Sequence, residues 1–173
     1  MRRTLIIVAL LLLPSACYSG PDPGRNPSGG GPAALGGAPA QSFEVRRTDG
    51  VADSLARHRG QVVLVNLWAT WCPPCREEMP ALQQFARRNA GRVTVLGIDQ
   101  GESAEVAAAF ARSRGVTFPV LVDEKQQYGR TYAAVGLPTT VIVGRDGHVV
   151  RGIDGPLTLA QMRDAVAPAL ARK

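Results

Sequence analysis

Aromatic residues, histidine and cysteine are all scarce in this sequence. Only 5% of its 173 residues are aromatic, and it contains two histidines and three cysteines. His58 and His148 have no paired spacing with the cysteines or with each other, which argues against a four-ligand zinc site. The arginines are scattered and are not interleaved with aromatic residues, so the net charge of +6 indicates a mildly basic surface and no nucleic-acid-binding stripe.

The sequence also lacks a hydrophobic run long enough to span a membrane. Its longest run, residues 5–13, has nine apolar residues, whereas a membrane-spanning helix needs about 20. Two arginines precede the run and small residues follow it, which is the layout of an export signal. We therefore predict a signal peptide over residues 1–16 and an extracytoplasmic location for the remainder of the chain.

The cysteine that follows this signal is a candidate site of lipidation. The segment Ser15-Ala16-Cys17 resembles the end of a bacterial lipoprotein signal, in which the cysteine becomes the acylated first residue of the mature protein. The resemblance implies a membrane-anchored lipoprotein on the outer face of the cell membrane. The alternative is a plain secretory signal with an incidental cysteine, which would leave the protein secreted or periplasmic.

A Gly/Pro-rich segment separates the signal from the rest of the chain. Residues 18–40 contain seven Gly, five Pro and only one aliphatic residue larger than Ala. Such a composition cannot bury a core, so residues 17–41 are predicted to form a disordered linker. The folded domain is predicted to cover residues 42–173, a common size for one domain.

Strands and helices alternate in the folded part. The nearly continuous apolar run at residues 61–68 predicts a strand covered on both faces. The helical spacing of Met79, Leu82 and Phe85 predicts a helix over residues 73–89 with these side chains in the core. Further strands are predicted at residues 92–99, 119–122, 139–143 and 148–153, and further helices at 102–113, 126–133 and 158–167, the last ended by Pro168. The pattern predicts an α/β sandwich with a mixed central sheet flanked by helices.

The most informative segment is a CxxC motif, Cys72-Pro73-Pro74-Cys75, where the strand passes into the helix. A thiolate at a helix N-terminus meets unpaired N–H groups and the positive end of the helix dipole, which lower its pKa. We predict that Cys72 is the more exposed, attacking sulfur and that Cys75 breaks the resulting mixed disulfide. A zinc site and a purely structural disulfide are the alternatives.

Three features taken together resemble the TlpA/ResA-like thiol-disulfide oxidoreductases, which are exported proteins with a thioredoxin fold. They are the run WATWCPPC at residues 68–75, Glu78 and Pro80 in the helix, and the run GLPTT at residues 136–140. The resemblance covers residues 42–170. It implies a thioredoxin-like sandwich and a protein disulfide oxidoreductase that needs no metal and no cofactor beyond a redox-active Cys72–Cys75 disulfide.

The resemblance also implies where a substrate chain binds. In the family the bond before the proline that matches Pro138 is cis and faces the two sulfurs, and the preceding residue, here Leu137, offers backbone groups to the substrate. We expect Trp71, Pro73 and Pro74 to border the same site. A trans proline at the start of an edge strand is the alternative for Pro138.

Glu78 is a candidate acid–base group. It lies three residues after Cys75 on the same helical face, and in the family a Glu at this place is partly buried beneath the thiols and exchanges a proton with the second cysteine. Cytoplasmic thioredoxins carry a buried Asp where this chain has Asn66, which leaves Glu78 as the nearest acid. The alternative is a first-turn acid that only complements the helix dipole.

These features predict an extracytoplasmic reductant of disulfides in exported proteins, with apocytochrome c as the client that the resemblance implies. A membrane thiol-disulfide electron donor would restore the dithiol. The Pro73-Pro74 pair lacks the His that strongly oxidising CxxC sites often carry, which favours a reductant. The alternatives are a disulfide-forming oxidant of the same fold and a non-catalytic module that binds Cu(I) or a peptide.

Overall fold

The computed structural model describes residues 31–172, so the predicted signal peptide and Cys17 lie outside the described residues. The strands are β1 (Val45–Arg47), β2 (Ala52–Asp53), β3 (Val62–Trp68), β4 (Val93–Gln100), β5 (Val120–Asp123), β6 (Thr139–Val143) and β7 (Val149–Asp154). These seven strands form one mixed sheet in the order β2-β1-β5-β4-β3-β6-β7. The helices are α1 (Pro73–Arg88), α2 (Ala104–Ser113), α3 (Gln127–Thr131) and α4 (Leu159–Ala171). The predicted α/β sandwich with a mixed central sheet is confirmed.

Strand β3 lies in the middle of the sheet and has a core on each face. It pairs parallel with β4 and antiparallel with β6, and all seven of its residues are buried. Leu64 and Trp68 belong to the core shared with α1 and α4, whereas Val63 and Leu67 belong to the core on the opposite face. The apolar run therefore forms a strand covered on both faces, as predicted.

Helix α1 follows β3 after a short turn and starts with the motif. Cys72 is its N-cap residue, and Pro73 and Pro74 occupy the first helical positions, where no intrahelical N–H bond is needed. The predicted core residues Met79, Leu82 and Phe85 are all buried against the sheet. The helix continues through Pro80 to Arg88.

The folded part of the chain begins before the predicted boundary at residue 42. Pro32–Leu35 forms a short 3-10 turn against β7, and the N–H of Gly37 donates to the carbonyl oxygen of Val149 at 2.7 Å. The N–H of Val149 in turn donates to Ala38, at 2.8 Å. The prediction of a linker through residue 41 is corrected for this reason: main-chain hydrogen bonds along the edge of β7 do not require the large apolar side chains that the segment lacks.

Helix α4 also differs from its prediction, which ended it before Pro168. The helix continues through Pro168 to Ala171. A proline inside a helix removes one hydrogen bond to the residue four positions earlier. Burial of Val166 and Ala169 on the two sides of Pro168 offsets that loss, because both side chains pack in the core. Tertiary packing therefore outweighs the local preference at this position.

Candidate active site

A disulfide bond joins the two cysteines of the motif. The distance between the sulfurs of Cys72 and Cys75 is 2.05 Å, and the Cys72 sulfur also accepts a hydrogen bond from the main-chain N–H of Cys75 at 3.2 Å. The N–H group that would stabilise a Cys72 thiolate is therefore already directed at its sulfur. Both cysteines are buried in the oxidised protein, with 3% of Cys72 and 1% of Cys75 exposed.

The loop before β6 brings Leu137 against this disulfide. The Leu137–Pro138 peptide bond is cis, as the family resemblance implied. The carbonyl oxygen of Leu137 lies 3.4 Å from the Cys72 sulfur. A disulfide sulfur has no hydrogen to donate, so this approach is a contact in the oxidised protein, and the Cys72 thiol can donate to the same oxygen after reduction. Trp71, beside Cys72, is 64% exposed.

Glu78 is buried, with only 4% of its surface exposed. Its carboxylate accepts hydrogen bonds from the side-chain amide of Asn66 at 3.2 Å and from the main-chain N–H of Leu157 at 2.9 Å. Burial raises the pKa of Glu78 to about 7, and the two hydrogen bonds only partly oppose this effect. Its neighbour Glu77 is exposed, so the two acids of the first turns of α1 lie in different environments.

Comparison with known proteins agrees with this geometry. The AhpC/TSA family model matches residues 37–151. The chain belongs to the AhpC/TSA family. It is 33% identical over 129 residues to the thiol-disulfide oxidoreductase ResA of Bacillus subtilis (strain 168), an alignment that covers 74% of this chain and 72% of ResA.

A second relative and a solved structure extend this result. The chain is 33% identical to the thioredoxin-like protein YneN of Bacillus subtilis (strain 168) over 73% of this chain and 75% of YneN. The crystal structure of a thiol:disulfide interchange protein of the thioredoxin family from Chlorobium tepidum TLS superposes with a TM-score of 0.70 at 31% identity, covering 78% of this chain and 97% of that one. This member of the AhpC/TSA family is a thiol-disulfide oxidoreductase with a thioredoxin-like fold.

A groove of about 290 Å³ lies beside the disulfide of this oxidoreductase. Trp71 and Leu137 line it together with Val135, which is 66% exposed, and Arg130 is the only charged residue among those that line it. The other predicted substrate-binding residues lie nearby in sequence but do not line this groove. Pro73 is exposed, Pro74 is half-buried and Pro138 is buried.

A second buried acid was missed by the sequence-based reasoning. Asp99, near the end of β4, has no exposed surface and accepts a hydrogen bond from the main-chain N–H of Glu102 at 3.1 Å. The Glu102 carboxylate accepts hydrogen bonds from the N–H and hydroxyl of Thr70, at 2.5 and 2.6 Å. The available signal was an Asp at the end of the strand predicted over residues 92–99.

Proposed function

We propose that this oxidoreductase reduces disulfides in exported proteins, with Cys72 as the attacking sulfur and Cys75 as the resolving one. The observation that carries the proposal is the position of the Cys72 sulfur. It accepts the N–H of Cys75 at the start of α1 and lies 3.4 Å from the carbonyl oxygen of Leu137. A thiolate is stabilised there, next to main-chain groups that a substrate strand can use.

The exchange takes place in two displacement steps. In the reduced protein, the Cys72 thiolate attacks one sulfur of the client disulfide, forming a mixed disulfide and releasing the first client thiolate. The Cys75 thiol then loses its proton, and its thiolate attacks the Cys72 sulfur, which expels the second client thiolate and closes the Cys72–Cys75 disulfide. The client gains two electrons and, once its thiolates are protonated, two protons.

Glu78 is proposed to accept the proton of Cys75 in the second step. The two residues lie three positions apart on one face of α1, and both are buried. A carboxyl with a pKa of about 7 is divided between its two protonation states near neutral pH. Such a group can take up a proton and return it without a large energetic cost in either direction.

The client and the location of the protein follow from the resemblance to the ResA-like oxidoreductases. Apocytochrome c is the proposed client, because its haem-attachment thiols must be free before the haem is joined. A membrane thiol-disulfide electron donor would return two electrons to Cys72 and Cys75. Acylation of Cys17 would hold the protein at the outer face of the cell membrane, since two or more acyl chains give stable anchoring. Residues 31–172 contain no helix long and apolar enough to cross a membrane.

The reduction potential of the Cys72–Cys75 pair tests the direction of electron flow. We expect a value near that of thioredoxin, roughly −270 mV, when the protein lacking residues 1–17 is equilibrated with glutathione or dithiothreitol buffers. A value near roughly −120 mV would instead identify a disulfide-forming oxidant. Tight Cu(I) binding without any reduction of insulin disulfides would favour the non-catalytic binding module.

A further inference from the structure

We propose that Glu102 and Asp99 are positioning residues for thiol–disulfide exchange. Through Thr70, they hold the turn that carries Trp71 and Cys72. The inference rests on the proposed role of Cys72 as the attacking sulfur. Neither acid contacts the reacting sulfurs. Both act through the main chain that positions these sulfurs.

The carboxylate of Glu102 holds the turn that precedes Cys72. Thr70 lies two residues before Cys72, and the N–H of Cys72 donates to the carbonyl oxygen of Ala69 at 3.3 Å, which closes the turn around Thr70. Both the N–H and the hydroxyl of Thr70 donate to the carboxylate of Glu102. Two charge-assisted hydrogen bonds to one residue fix its orientation more firmly than neutral ones.

Asp99 fixes the main chain from which Glu102 reaches Thr70. Strands β3 and β4 run parallel, and Trp68 pairs with Asp99 at their ends. The loops after them therefore leave the same edge of the sheet. Asp99 accepts the N–H of Glu102 with one oxygen, and its other oxygen has no hydrogen-bond partner among residues 31–172.

A raised pKa keeps most of Asp99 protonated near neutral pH. Burial raises the pKa of Asp99 to about 8, and the carboxylate of Glu102 and the charge of Asp123 act in the same direction, whereas the hydrogen bond from the main-chain N–H of Glu102 partly opposes them. A protonated Asp99 adds no second negative charge beside Glu102. The charge of Glu102 is then directed at the two donors of Thr70.

The chain offers a matched control at another place in the fold. In α1, Gln83 holds Thr117 in the same way: its amide oxygen accepts the N–H of Thr117 at 2.8 Å, and its amide nitrogen donates to the hydroxyl at 2.8 Å. Thr117 precedes β5, at the opposite end of the strands from the disulfide. Gln83→Ala therefore removes two side-chain hydrogen bonds to a threonine without touching the turn that carries Cys72.

The experiment follows the attack of the fully reduced protein on dithiobis(nitrobenzoate), a small disulfide that needs no client groove. We expect Glu102→Ala to lower the rate constant by about tenfold or more, because a small misplacement of a reacting group has effects of this size. Gln83→Ala is expected to react like the unchanged protein, even if it melts at a lower temperature. Equal rate constants for Glu102→Ala and Gln83→Ala would overturn the proposal.

A second pair of variants decides the matter if Glu102→Ala does not fold. Thr70→Val keeps the shape of the side chain and the charge of Glu102 but loses the hydroxyl donor, whereas Thr70→Ser keeps the donor. We expect Thr70→Val to slow the reaction and to move the pH midpoint of Cys72 alkylation by iodoacetamide upward, and Thr70→Ser to restore both. An unchanged midpoint and rate in Thr70→Val would then overturn the proposal. Neither readout involves a client, so failure to reduce client disulfides would be a separate result that bears on the proposed function.

Discussion

Helices α1 and α4 pack side by side on one face of the sheet and begin in similar ways. The Cys72 sulfur caps α1 by accepting the N–H of Cys75, and the Thr158 hydroxyl caps α4 by accepting the N–H of Gln161. In α4 the amide oxygen of Gln161 also accepts the N–H of Thr158 at 2.8 Å, which completes a capping box.

The comparison separates the structural role of a cap from its chemistry. Each cap satisfies an N–H group that has no partner within the helix. Only a sulfur in this position can also form and break a covalent bond with another sulfur, and the N–H groups that stabilise the helix start stabilise its thiolate as well. The oxidoreductase therefore places its reactive atom where the fold already needs an acceptor.

The two helix starts are connected through Glu78. Its carboxylate, in the second turn of α1, accepts the N–H of Leu157, which lies immediately before the Thr158 cap of α4. The side-chain amide of Asn66 in β3 donates to the same carboxylate. It also donates to the hydroxyl oxygen of Thr140 in β6, at 3.2 Å. The buried carboxylate of Glu78 therefore holds together α1, β3 and the segment that leads into α4.

The largest expected effect separates the two caps by their chemistry. Cys72→Ser keeps an oxygen acceptor for the N–H of Cys75 but removes the nucleophile, so we expect its catalysis of insulin reduction by dithiothreitol to fall to the uncatalysed rate. Thr158→Ala should retain full activity in the same turbidity assay. Residual catalysis by Cys72→Ser would mean that Cys72 is not the attacking sulfur.

The next effect concerns the group that connects the two helix starts. Because the folded-state pKa of Glu78 is raised from 4.5 to about 7, the folded protein binds more protons than the unfolded chain in this interval. Its contribution to stability is fully present below about pH 4.5 and is lost as the pH rises through 7, by ~3 kcal/mol in total.

Denaturant unfolding of the oxidised protein at a series of pH values measures this loss. Glu78→Gln should remove that part of the pH dependence. The pKa of Asp99, raised from 3.8 to about 8, should leave a decline of the same sign and of at least that size in the variant. In the reduced protein, Glu78→Gln should also change the titration of Cys75. An unchanged Cys75 titration would contradict the proposed proton transfer.

The smallest effect tests the purely structural cap. Thr158→Ala removes the acceptor for the N–H of Gln161, and loss of an N-cap side chain costs about 1 kcal/mol. We expect a lower free energy of unfolding by this amount, with an unchanged reduction potential. Thr158→Ser, which keeps the hydroxyl, is the control. A changed potential in Thr158→Ala alone would show that the α4 start influences the disulfide through Leu157 and Glu78.

Interactions close in sequence explain which parts of the site could be predicted. The apolar run of β3, the prolines of the motif and the N-cap position of Cys72 all depend on residues within one turn or one strand. The cis bond before Pro138 was expected from resemblance to a family, and the residues alone left a trans proline open. The prediction of a disordered linker was wrong for residues 32–41. Amino-acid composition shows that large apolar side chains are lacking there, but it does not show main-chain hydrogen bonds.

The sequence by itself determined that two cysteines lie at the start of a helix that follows a buried strand, because capping and hydrophobic periodicity act over a few residues. Only the tertiary structure decided that Asn66 and Leu157 donate to the buried carboxylate of Glu78, that Leu137 meets the Cys72 sulfur, and that Glu102 reaches Thr70. These contacts join residues that are 12 to 79 positions apart. The order and direction of the strands bring them together, and no local preference encodes that order.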